Sequence, residues 1–226
     1  MTAKLNNRNL LHHGRVFDLF SEDITLENGV TTHIDILQHP GAAAIVDSDN
    51  DGFVDLAYIG DLGGNIWRIR FCSAPDGSSC ATGNWSASLL FAREGGINAV
   101  YDVPAVAKDA SGNIWVYWGT GDKAEPIVTG GGTDRFFAVK DATLTGAYRL
   151  SDLENITSGT YTDNAAKRGW TMNLAGAGEK CLAEPVVFGG QVYFTTYTPG
   201  GGGGTPAMRP GSRSSTGCPT SRGRVP

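Results

Sequence analysis

An all-β fold of the β-propeller kind is predicted, and three observations predict it. Glycine is over-used, at 32 of 226 residues, and in a chain without a glycine period this marks many tight turns between short strands. The tetrapeptide "GNIW" occurs at Gly64 and again at Gly112, 48 residues apart, a plausible length for one propeller blade. No segment holds a helical period over three turns.

The elements follow in order. Residues 1–40 read as a partial blade or a leader to the propeller, with "GRVFDLFSEDITLENGVTTHIDIL" fitting an outer hairpin. Residues 41–204 read as propeller blades. "YIGDLGGNIWRIRF", "DASGNIWVYWGTG" and "PVVFGGQVYFTTYT" share one plan, a turn with glycine followed by an aromatic and β-branched strand. In the first, alternation puts Trp67, Ile69 and Phe71 on one face and Arg68 and Arg70 on the other. "DVPAVAKD" and "CLAEPVVFG" read as inner strands, each with a proline near its start, where a ladder donor can be spared. Residues 141–164 fit either a short helix or a long loop between blades. Three to four blades are visible and ordinary propellers close with four to eight, so the chain is expected to supply part of a ring. Open strand edges would then favour self-association. Residues 205–226, with four Arg, four Pro and no acid, read as a disordered tail.

Charge and composition narrow the function classes. A net charge of −5, from 18 Lys and Arg against 23 Asp and Glu, offers no basic surface for nucleic acid. No run is long and apolar enough for a transmembrane helix or a secretory signal. Cys72 and Cys80 flank "SAPDGSS", whose Pro-Asp-Gly turn can bring two strand ends together, and make a disulfide candidate. Free thiols are the alternative. An oxidised hairpin belongs outside the cytoplasm, so the chain is expected to be a fragment of a longer exported protein.

The chemistry concentrates in "DSDNDGFVD", residues 47–55. Asp47, Asp49 and Asp51 take loop positions 1, 3 and 5, Gly52 takes position 6, the Phe53 carbonyl takes 7 and Asp55 takes 9. This is the ligand order of a calcium loop. Four carboxylates held so close repel by about 1 kcal/mol per near pair even in a water-like dielectric, and a divalent ion reverses the sign. Position 12 is Tyr58, not Glu, and both flanks favour strands, so the loop is not an EF-hand. It contains no Cys or His, which disfavours softer metals, and its flexible carboxylates suit Ca2+ over Mg2+. A merely acidic surface turn is the alternative.

Other residues offer less. His12 and His13 diverge on a strand, and His33 and His39 lack partners at metal spacing, so all four read as surface or packing residues. Trp67, Trp115 and Trp118 read as propeller core before a ligand-stacking surface. The glycines of "GTGDKAE" and "GAGEKC" do not form a phosphate loop, and no nucleophile elbow or zinc-protease helix occurs. Nothing argues for catalysis.

With these residues in view, the chain resembles the C-terminal β-propeller of the PilC/PilY family of type IV pilus biogenesis and tip-adhesin proteins. The likeness runs over 41–204 and is densest in "AIVDSDNDGFVDLAYIGDLGGNIWRI", with "VPAVAKDASGNIWVYWGTGDK", "DRFFAVKD" and "GWTMNLAGAGEKCLAEPVVFGGQVYFTTYTP" following in order. The resemblance implies a quinoprotein-like propeller of seven blades, exported to the outer membrane and pilus tip. It also implies calcium held by Asp47, Asp49, Asp51, Phe53 and Asp55, with occupancy tied to pilus extension against retraction, and pilins, minor pilins or a host surface ligand as partners. After "TTYTPGGG" the family continues with a Cys-Asp stretch and a strand, which the Arg-rich tail lacks. The tail is therefore expected to be a frameshift product, leaving Cys181 without its natural partner and making any bond to Cys218 accidental. Two rivals stand beside this reading. A quinoprotein dehydrogenase fragment would need a complete ring and a cofactor signature that the chain does not show. A calcium-stabilised module of the integrin-repeat type would repeat its loop several times, and one loop occurs here.

Overall fold

The computed structural model describes residues 4–13, 18–38, 43–71, 85–96, 98–142, 146–163, 166–200 and 207–209. Contacts divide the chain into two units, Met1–Ala42 and Ala43–Pro226. In the first, β1 (Lys4–His13), β2 (Asp18–Thr25) and β3 (Thr31–Gln38) form an antiparallel meander. Its second turn is drawn tight at Gly29, whose φ of 79° suits a residue without Cβ, and Asn28 Oδ1 accepts the Val30 N–H. Arg8 pairs with the buried Glu22 across β1 and β2.

The second unit is a series of antiparallel sheets. β4 (Ala43–Val46), β5 (Leu56–Gly60), β6 (Ile66–Arg70) and β7 (Ser86–Phe91) pair in chain order, the strand plan of a propeller blade. β8 (Ala105–Lys108), β9 (Ile114–Gly119), β10 (Arg135–Asp141) and β12 (Gly169–Asn173) repeat that meander, and the short β11 (Glu154–Asn155) joins its far edge in parallel. Beyond them β13 (Lys180–Cys181) pairs with β16 (Thr196–Thr198), and β14 (Val186–Phe188) forms a hairpin with β15 (Gln191–Tyr193). No sheet closes on itself, and no α-helix occurs among the described residues. The described residues of 141–164 hold a single-turn helix and a short strand rather than a bare loop. The 3-10 turn is Leu150–Asp152 and the strand is β11, with Tyr148 bridging to Phe91. Within 205–226, Ala207–Arg209 forms β17 beside β16, a difference from the strandless tail expected there. The rest of that tail lies outside the described residues.

An aspartate before each "GNIW" explains the repeat. Asp61 accepts the Asn65 N–H at 2.9 Å and the Trp67 indole N–H at 2.8 Å. Asp109 does the same for Asn113 at 2.9 Å and Trp115 at 3.1 Å. In both turns the glycine between them has positive φ, 87° at Gly64 and 82° at Gly112. One carboxylate thus fixes the turn's backbone and pins the tryptophan of the strand that follows. The repeated unit is Asp-x-x-Gly-Asn-Ile-Trp, one acid longer than its visible core.

Both faces of the second sheet are buried, which is why "IWVYWG" and "RFFAVK" read as continuous apolar runs. Val116, Trp118, Phe137 and Val139 point to one core with Leu56, Tyr58, Ile66 and Phe91 of the first sheet. Trp115, Tyr117, Phe136 and Ala138 point to the other with Trp170, Met172, Val192 and Phe194. Trp118 stacks on Phe137 with centroids 4.8 Å apart, and Phe136 stacks on Phe194 at 3.9 Å. Trp115 and Trp118 are core, as expected of all three tryptophans, whereas Trp67 is only half-buried.

Arg68, on the strand face opposite Ile69, is nonetheless only 2% exposed. Its guanidinium pairs with Asp141, whose other oxygen accepts the Tyr58 hydroxyl at 2.7 Å. A charge this deep is tolerated only when paired and bonded. Burial, followed by the charge of Asp141, pushes the Tyr58 hydroxyl far up, so it stays a donor. This trio ties the first sheet to the second. The Cys72 and Cys80 pair lies outside the described residues. Cys181 is a free, buried thiol pushed up to about 12, chiefly by desolvation.

Candidate metal centre

The Asp-rich stretch is the connection between β4 and β5. Val46 pairs with Leu56, and the Asp55 N–H reaches the Val46 carbonyl at 2.9 Å, so the ladder closes the loop at its base. The aspartates then fold the loop by bonding its own backbone. Asp47 accepts the Asn50 N–H at 2.6 Å through Oδ1 and the Gly52 N–H at 2.9 Å through Oδ2. Asp49 accepts the Asp51 N–H at 3.1 Å, and Asp51 accepts the Phe53 N–H at 2.8 Å. Gly52 has φ of 94° and Asn50 has φ of 66°, the latter alone among described non-glycine residues in being positive. Asparagine tolerates that region better than most side chains.

Carboxylate oxygens of Asp47, Asp49 and Asp55 lie within 4.8 Å of one another. Of the other two predicted ligands, Asp51 is exposed and its carboxylate stands outside that group, and Phe53 would offer only its backbone carbonyl. Sequence reading missed Ser48. Both its N–H and its hydroxyl donate to Asp55 Oδ2, at 2.5 and 2.6 Å, and orient a carboxylate that is 6% exposed. A serine directly after the first aspartate was the available signal, but position 2 of such a loop supplies no ligand in the spacing rule.

Hydrogen bonding and mutual charge set the loop's carboxylates apart. Donation from Gly52, ahead of the other backbone N–H groups, holds the Asp47 carboxyl below the usual aspartate range. Desolvation first, and then the charges of Asp51, Asp55 and Asp47, pushes the Asp49 carboxyl above it. The donor set consists of hard oxygens alone, and each carboxylate keeps lone pairs beyond its hydrogen bonds. These residues fit Ca2+, which takes six to eight oxygen ligands in flexible geometry.

A chain of packed antiparallel meanders, with an acidic loop between the first two strands of a sheet, is a propeller-like all-β protein. No family model matches it. It is 25% identical over 191 residues to the type IV pilus biogenesis factor PilY1 homolog of Xylella fastidiosa (strain Temecula1), an alignment covering 71% of this chain and 13% of that protein. Its fold is similar to the crystal structure of the Pseudomonas aeruginosa PilY1 C-terminal domain, with a TM-score of 0.57 at 17% identity over 80% of this chain and 50% of that one. Both likenesses agree with the resemblance to the C-terminal domain of the PilC/PilY family. The chain spans half of that solved domain and a small part of the curated relative.

Proposed function

We propose that this chain is the calcium-binding, propeller-like portion of a type IV pilus assembly and adhesion protein, and that it acts by binding and not by catalysis. The observation that carries the reading is the convergence of Asp47, Asp49 and Asp55 within 4.8 Å, in a chain similar to a pilus biogenesis factor. Calcium would be held by these three with Asp51 and the Phe53 carbonyl, and would replace carboxylate repulsion with ligation. Occupancy would stiffen the β4–β5 connection and the surface it presents to pilins, minor pilins or a host ligand, at the cell surface or pilus tip. Extracellular calcium modules bind in the range of about 10⁻⁴ to 10⁻³ M, which matches an ion site filled outside the cell and empty within. The loop would then set the balance of pilus extension and retraction.

The test is made in the bacterium that produces the protein. Asp47→Ala and Asp55→Ala are introduced together and surface pili are counted with calcium and with a chelator. Loss of the calcium response in the variant is expected. A response equal to that of the wild type overturns the reading.

A further inference from the structure

The acidic loop is gripped from the neighbouring sheet. Lys108, the last residue of β8, donates its ammonium to the Asp47 carbonyl at 3.1 Å and to Asn50 Oδ1 at 3.3 Å. Both acceptors are neutral oxygens outside the carboxylate group, so the ammonium holds the frame of the loop and leaves Asp47, Asp49 and Asp55 to an ion. Its two partners are the points where the frame is most constrained. Asp47 is where the chain leaves β4, and its side chain and carbonyl serve the two tasks separately. Asn50 carries the left-handed φ, an uncommon conformation that costs a non-glycine residue free energy and persists only when held.

We propose that Lys108 is a positioning residue through which occupancy of the loop is transmitted to β8 and the turn after it; the proposal rests on the calcium reading above. A cation that draws the carboxylates inward fixes Asp47 and the apex at Asn50, and so fixes both acceptors of the ammonium. Lys108 is exposed, so its bonds exchange with water and respond to small changes in acceptor geometry. The residue after it, Asp109, holds the Ser111 and Asn113 N–H groups and the Trp115 indole. An ordered Lys108 therefore orders the turn that anchors the second sheet's central strand. The buried trio of Tyr58, Arg68 and Asp141 joins the same two sheets from β5, β6 and β10, away from the loop.

Amide hydrogen exchange of the whole chain, with saturating calcium and with a chelator, separates the possibilities. In the wild type, calcium should slow exchange in residues 47–55 and also in residues 105–115, by about fivefold or more, the low end of ordinary coupling between sites. Lys108→Met should keep the slowing at 47–55 and reduce that at 105–115 to within about twofold. Lys108→Arg, which retains the charge and the donors, should keep both. Slowing at 105–115 that persists in Lys108→Met overturns the proposal, as does a wild type that slows only at 47–55. A wild type that slows nowhere overturns the calcium reading and this proposal with it.

Discussion

Asp47 and Asp55 open and close one loop, and their carboxylate oxygens lie within 4.8 Å of each other and of Asp49. The ladder brings them together, since Val46 and Leu56, their outer neighbours, are paired residues of β4 and β5. Asp47 is held by N–H donors within the loop and Asp55 by Ser48. The shape of the loop thus follows from strand pairing and its own hydrogen bonds.

Ser48→Ala removes the hydroxyl bond to a buried carboxylate and leaves only the backbone N–H to orient it. A stability loss of about 1 kcal/mol is expected by urea denaturation without calcium. Calcium affinity should fall about tenfold, as it does when a ligand loses an outer partner. An unchanged affinity by calorimetric titration would show that Ser48 does not position Asp55.

How far the sequence carried depends on the physical signal at each residue. The Asp-x-Asp-x-Asp-Gly spacing is local, so the candidate ligands and their order can be named without a fold. The orientation of Asp55 by Ser48 was not, because it depends on a hydroxyl that has many surface uses. The "GNIW" repeat was legible as a blade period, yet Asp61 and Asp109 were missed because an acid in a turn ordinarily looks solvated. The burial of Arg68 was not legible either, for the opposite reason. Alternation assigns an arginine to the polar face, and only Asp141, 73 residues away, makes its burial possible. The 3-10 turn in 141–164 has too few residues to show a period.

The Arg68 and Asp141 pair predicts a strong asymmetry between single and double substitutions. Asp141→Ala leaves the guanidinium buried without its partner and should cost about 3–5 kcal/mol. Arg68→Met combined with Asp141→Ala should recover part of that loss, since an apolar side chain needs no counter-charge while the Tyr58 hydroxyl still lacks its acceptor. A double variant as unstable as the single one would show that packing at these positions, not the uncompensated charge, governs stability.

Asp109 carries a pH signature. Burial is the largest influence on its carboxyl and acts upward, but donation from Asn113, Trp115 and Ser111 together holds it below the usual 3.8. A carboxyl lowered on folding contributes stability that is present above pH 3.8 and is lost as pH falls through its lower folded-state value. Asp109→Asn should therefore be less stable at neutral pH, by about 1–2 kcal/mol. The gap between the two proteins should narrow as the wild-type carboxyl protonates. A gap that stays constant from pH 6 to about pH 2 would separate the role of Asp109 from its charge.

If the loop at 47–55 binds calcium through its aspartates, the ion must raise the temperature at which the chain unfolds. At a hundredfold excess of calcium over Kd, binding to the folded chain alone should add about 2.7 kcal/mol, a rise of roughly 5–10 °C for a chain of this length. Asp47→Ala and Asp49→Ala should each abolish most of that rise, measured against each variant's own calcium-free melting temperature. A wild type that does not respond, or variants whose melting temperature rises as much as its own, would contradict the assignment.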